Sequence, residues 1–187
     1  MELIEAYTAA AGRAGELIAA TRADQLESST PCRTWTAREL INHIVGGQYM
    51  FAGAAAGKPL GDMTGVAPDF TAGDAAGAHR DASAALAAVL AEPELGERMA
   101  ELPFGTLPAA MVPGLACFEA VVHGWDLARA TGQDLAMPAE IVDALFPFAE
   151  QLLANVPRDG VAFAVVVDAP AGAPSIDRLV ALSGRKP

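Results

Sequence analysis

Glu119 and His123 lie four residues apart in CFEAVVHGWDLARATG, residues 117–132, and Asp126 follows three later. On a helix, side chains at i and i+4 leave the same face with Cβ atoms about 5–6 Å apart. A carboxylate oxygen and an imidazole nitrogen so placed can hold one divalent cation between them. At about 100° per residue, Leu115, Phe118, Val121, Val122 and Trp125 fill one broad face, and Ala116, Ala120 and Leu127 cover much of the other. Glu119, His123 and Asp126 share the thin arc that remains. A solvated face is normally wider and carries Lys, so the arc reads as a buried or cleft-lining stripe. A solvated edge with a simple Glu–His contact is the competing reading.

Two ligands are too few for a catalytic metal, which usually takes three from the protein and leaves a position open. The chain has two further histidines, His43 and His79. His43 flanks an apolar face beside Leu40, Ile44 and Gly47 and is a candidate third donor. His79, in GAHRDAS beside Arg80 and Asp81, reads as solvated. Asp126 has two readings of equal weight. It can orient His123 from behind, as carboxylates do for metal-bound histidines, or it can form a salt bridge to Arg129 or to another helix. Cys32 and Cys117 read first as small buried hydrophobes. Cys32, a few residues before a helix start, is a weaker candidate for a reactive thiol. Cys117 points about 160° away from Glu119 at helical spacing. Trp125 reads as core. No G-x-S-x-G elbow, phosphate-binding loop or G-x-G-x-x-G occurs.

The elements that would carry these residues are helices. Residues 2–20 show helical spacing of Leu3, Tyr7, Ala10, Leu17 and Ile18. Residues 21–35 connect, with Pro31 in a Ser/Thr cluster. TWTARELINHIVGG starts a second helix with Thr36 as N-cap, Glu39 at N3, and Trp35 and Leu40 in hydrophobic-staple positions. It runs to about 57, before a Gly/Pro/Asp-rich loop over 58–69. An Ala-rich helix follows over about 70–91, then LPFGTLP, 102–108, as a loop. The helix with the polar stripe begins near 109 or 113 and ends at 131, with Gly132 at C′. A fifth helix over about 138–154 is interrupted at Pro147. GVAFAVVVDAP suits a short strand or extended segment, and Ser175 caps a short last helix. The expected fold is all-α: a four-helix bundle forming a single domain over 1–187, with 157–187 as a C-terminal extension holding a strand and a helix.

Composition sets the partners. The 187 residues are 52% hydrophobic and 19% charged, which is globular rather than disordered. The net charge of −11, without a Lys/Arg cluster, opposes phosphate backbones and anionic bilayers. Nucleic acid and membrane partners are therefore not expected. No basic n-region opens the chain and no run is long enough to span a bilayer, so a cytoplasmic protein is expected. In a reducing cytosol its two cysteines form no structural disulfide.

STPCRTWTARELINHIVGG, FEAVVHGWDLARATGQ and the tail DRLVALSGRKP together resemble actinobacterial proteins related to the N-terminal domain of mycothiol-dependent maleylpyruvate isomerase, in the DinB/YfiT-like metalloenzyme superfamily. The resemblance covers nearly the whole chain. It implies a bundle whose metal is held by His43 from the second helix and by Glu119 and His123 from the later one, beneath a cleft with open coordination positions. It implies a divalent metal, zinc foremost, with nickel, iron or manganese also suited to such a site, and a low-molecular-weight thiol as partner of a small-molecule transferase or isomerase. The isomerases carry a larger C-terminal domain, whereas about 30 residues follow the fifth helix here, so isomerase activity itself does not carry over. A non-catalytic metal-containing bundle that binds a small ligand or partner, or forms a stress-associated homodimer, is the alternative.

Overall fold

The four long helices are α1 (Leu3–Ala20), α2 (Ala37–Ala55), α3 (Ala75–Leu90) and α4 (Val112–Thr131), followed by α5 (Ala139–Ala154) and α6 (Ser175–Leu182). A computed structural model describes all residues except 33, 34, 62–66, 159, 161 and 162. Facing residues fix the helix directions. Gly15 abuts His79 and Tyr7 abuts Ser83, so α1 and α3 run antiparallel. Ala14 faces Gly124 and Tyr7 faces Cys117, so α1 and α4 run parallel. His43 meets Glu119 while Phe51 and Ala116 line one slot, so α2 and α4 are antiparallel. The bundle is therefore up-down-down-up, an arrangement that needs a long connection between the parallel pair α2 and α3. Among the described residues the chain is all-α as expected, apart from one hairpin.

α2 begins as the sequence dictates. Thr36 Oγ1 accepts from the Glu39 N–H, and Glu39 Oε2 accepts from the Thr36 N–H at 2.8 Å. Trp35 packs on the apolar cluster that contains Leu40. The helix ends two residues before the expected stop. Gly57, at φ 72°, donates to Ala54 O, and Lys58 donates to Gly53 O, which is a Schellman motif. α4 stops in the same way: Gly132 has φ 68° and Gln133 donates to Ala128 O.

Several expectations are corrected. α3 starts at Ala75, because the Asp74 side chain captures the Gly77 N–H and restarts the helix after a single 3₁₀ turn at Phe70–Ala72. LPFGTLP is not a loop: β1 (Met99–Leu102) and β2 (Gly105–Pro108) pair antiparallel, with Leu102 opposite Gly105. A two-residue turn joins them, and Gly105 takes φ 132°, open to glycine. α5 continues through Pro147, because Ile141, Leu145, Ala149 and Leu153 bury one stripe and offset the missing bond. Ser175 is the first helical residue of α6 rather than its cap, and its hydroxyl donates to Asp143. Much of the loop expected at 58–69 lies outside the described residues. Residues 163–170 form no strand, against one of the two readings, and Val167 N–H bonds to Ala181 O.

The core forms two clusters along the bundle. One joins Ala6, Tyr7, Phe51, Leu86, Leu90 and the first half of α4 with α5. The other joins Leu17, Leu40, Ile41, Val45, Trp125 and Leu127. α6 contributes Leu179 to the first and Val180 to the second, so the tail is packed into the bundle. Arg158 ties it down, donating to carbonyls of Leu153, Ala164 and Leu182. No helix of the described residues is long and apolar enough to cross a membrane.

Candidate metal centre

α4 is the central helix, and it is buried on nearly every side. Its polar stripe is not a solvated edge. Asp126 is 0% exposed and His123 7%, while the Glu119 side chain keeps 34% of its surface and opens the stripe to solvent. The antiparallel α2 lays His43 across that open end. His43 Nε2 is 2.9 Å from Glu119 Oε2, and His123 Nε2 is 3.2 Å from the same oxygen. The imidazole rings lie 4.9 Å apart, edge to face. Two nitrogens and one oxygen from two helices thus converge within 4.8 Å of one another. The sequence-derived candidates His43, Glu119 and His123 are all brought together.

Asp126 contacts both His123 and an arginine, but the arginine is neither Arg129 nor a residue of another helix. His123 Nδ1 donates to Asp126 Oδ2 at 3.0 Å, which leaves Nε2 facing Glu119. Arg185, from the tail beyond α6, clamps the same carboxylate through Nε and Nη2, the shortest contact being 2.7 Å. Arg129 instead lies over the Trp125 ring at 5.3 Å. Arg185 was not foreseen; the signal was the Ser-Gly-Arg of the tail motif, which carries the only buried arginine of the described residues.

Trp35 and Cys32 are the other residues the sequence placed elsewhere. Trp35 covers His43, with ring centroids 4.2 Å apart, and approaches His123 at 5.7 Å. Cys32 is half-buried rather than a core hydrophobe, and its sulfur groups with His123 and Asp126 within 4.8 Å. It is not part of the His43 group. Thr30 Oγ1 bonds to the Cys32 and Trp35 carbonyls, and Trp35 N–H to Cys32 O. The Pro-Cys and Trp just before the helix cap were the available signal. Cys117 is the buried hydrophobe expected, and burial pushes its thiol up to about 12. Trp125 is core, 6% exposed. His79 departs from expectation: it is 3% exposed, and burial lowers it to about 4.

Charge balance explains how the cluster tolerates burial. Burial works against the Glu119 carboxylate, but His123 and His43 outweigh it and hold the group well below the usual carboxylate range. Burial likewise opposes the charged form of His123, and Glu119 and Asp126 outweigh it, lifting the imidazole to about 9. Asp126 is kept ionised, against burial, by His123 and Arg185. At neutral pH a proton therefore occupies the centre that a cation would take. The donor set fits a divalent metal: two imidazole nitrogens and a carboxylate oxygen, with one imidazole oriented from behind by a carboxylate. The Cys32–His123–Asp126 set fits one less well, because Arg185 already supplies its positive charge.

A bundle with a His-Glu-His cluster at the meeting of two antiparallel helices is the class these features define. The chain belongs to the family described as the mycothiol maleylpyruvate isomerase N-terminal domain, which it matches over residues 7–128. That span holds all three cluster residues and Asp126, but not Arg185. Two uncharacterized proteins of Mycobacterium tuberculosis, from two strains, are each 32% identical over 186 residues, covering 99% of this chain and 98% of theirs. No solved structure matches the chain.

Proposed function

We propose that the chain is a divalent-metal protein that uses His43, Glu119 and His123 as ligands, and acts on a small molecule together with a low-molecular-weight thiol, as a transferase or isomerase. The convergence of three donor atoms beside a half-exposed carboxylate carries this reading. Membership of a mycothiol-related family supports the thiol. When bound, a divalent cation supplies Lewis acidity, lowering the pKa of a ligand's thiol and polarising a carbonyl. The chain's own residues supply the rest. Asp126 fixes the tautomer of His123, Arg185 keeps Asp126 ionised, and Trp35 packs against the His43 ring. Zinc suits the donor set first, and nickel, iron or manganese also fit it.

The open rather than closed character of the site favours catalysis over a structural metal. Structural zinc has four protein ligands, and no fourth donor joins the His43 group among the described residues.

Elemental analysis of untagged protein tests the metal. A stoichiometric divalent metal is expected, lost in His43→Ala and His123→Ala; metal content that these substitutions leave unchanged rules the site out. A screen of electrophiles with low-molecular-weight thiols, mycothiol included, tests the reaction. Thiol consumption no faster than in the His123→Ala protein would remove the transferase reading.

A further inference from the structure

The two imidazoles of the cluster are held in different ways. His123 Nδ1 donates to Asp126, so a hydrogen bond fixes that ring. His43 makes one hydrogen bond among the described residues, from Nε2 to Glu119, and its side chain is 35% exposed. A carboxylate or carbonyl behind the second nitrogen is the usual device for aiming a metal-binding imidazole. Among the described residues His43 has none. The last torsion of a histidine side chain is broad and roughly two-fold, so another contact has to set the plane of this ring.

Trp35 makes that contact. Its ring and that of His43 have centroids 4.2 Å apart and planes 32° from parallel. The other ring neighbour, His123, meets His43 nearly at right angles, at 84°. Side chains of a helix lean toward its N-terminus, so His43 leans toward the end of α2 that Trp35 precedes. Trp35 is itself anchored. Its N–H donates to Cys32 O at 3.0 Å, and its carbonyl accepts from the Thr30 N–H at 3.3 Å. Thr36, the next residue, bridges to Ser29 and caps α2. The indole also packs on the apolar cluster that contains Leu40.

We propose that Trp35 is the positioning residue of His43: its indole, packed on the imidazole, presets the ring plane from which Nε2 reaches a metal, as Asp126 does for His123 by a hydrogen bond. The inference rests on the metal reading above. A ring already held in its bound orientation loses less freedom when the metal arrives. The role differs from that of a hydrophobic staple, in which any apolar side chain at this position serves. Ring-on-ring packing needs an aromatic plane. Leucine can therefore replace the staple but not the positioning contact, whereas phenylalanine can replace both.

Trp35→Leu and Trp35→Phe separate the two roles. Zinc affinity of the full chain is measured by competition with a chelator at one pH. Trp35→Leu should bind zinc about tenfold more weakly, a usual cost of removing a group that orients a ligand, and Trp35→Phe should keep most of the wild-type affinity. Proton NMR of the zinc-free wild type should show the His43 ring protons shifted upfield by the indole, and the shift should vanish in Trp35→Leu. Wild-type affinity in Trp35→Leu, or unshifted His43 ring protons in the wild type, overturns the proposal and leaves the metal reading standing. A wild-type chain that binds no zinc overturns both. The ring shifts are read on the wild-type protein, so a Trp35→Leu chain that fails to fold does not remove the test.

Discussion

His123 is the residue on which the cluster turns. Its imidazole is held protonated up to about 9 by Glu119 and Asp126, and a metal must displace that proton. Apparent metal affinity should therefore rise about tenfold per pH unit as pH climbs toward 9, then level off; competition titration against a chelator at a series of pH values measures it. A flat profile would contradict the proton assignment. Behind His123, Arg185 neutralises a fully buried Asp126. Arg185→Met leaves that buried carboxylate with His123 as its one remaining cationic partner and should cost about 3 kcal/mol in urea unfolding. Pairing it with Asp126→Asn should recover most of the loss. At this scale the sequence showed the Glu119–His123 pair clearly, because i,i+4 spacing on a helix is a local property, whereas His43 was singled out by the resemblance. Arg185 and Cys32 were not legible, since each reaches the cluster through a turn or tail whose path no local spacing encodes.

The elements owe their ends to caps that the sequence spells out. Thr36→Ala removes one half of the capping box of α2 and should lower stability by about 1 kcal/mol. Gly12 lies exposed within α1 with nothing near an added Cβ, so Gly12→Ala should raise stability by about 0.5–1 kcal/mol. Thermal unfolding of the two single variants tests both, and a change of the wrong sign in either would contradict the cap or the open space. α2 and α4 were legible for the same reason: Thr-x-x-Glu and a terminal Gly have few other meanings. The hairpin at 99–108 was not, because four-residue strands leave too little alternation to count. Pro147 misled in the opposite direction. A helix breaker was read by itself, and the packed stripe that outweighs it emerges only from the fold.

The whole molecule has a pH range set by its interior. His79 sits where α1, α2 and α3 meet and is lowered to about 4. Between an unfolded value near 6.5 and that folded value, the unfolded chain binds the extra proton. The stabilisation is complete above 6.5 and lost as pH falls to 4, roughly 3 kcal/mol in all. His123 has the opposite sign in the metal-free protein: its contribution is complete below 6.5 and lost as pH rises through about 9. Metal-free stability should therefore peak near neutrality in urea titrations, with the acid limb flattened in His79→Leu. The helical class was legible from periodicity; the pairing of helices was not, because it is decided by facing residues far apart in sequence. That distance has a consequence during synthesis. α1 packs along α4, and the bonds that seal them, Gln25 to Thr131 and Gln133 to Leu17, span 106 and 116 residues. At about 5–20 residues per second, a ribosome needs roughly 5–20 s to make the partner of α1. For that interval Tyr7, Leu17 and Ile18 present their apolar face to the cell, and chaperone capture of the nascent chain has its natural target there.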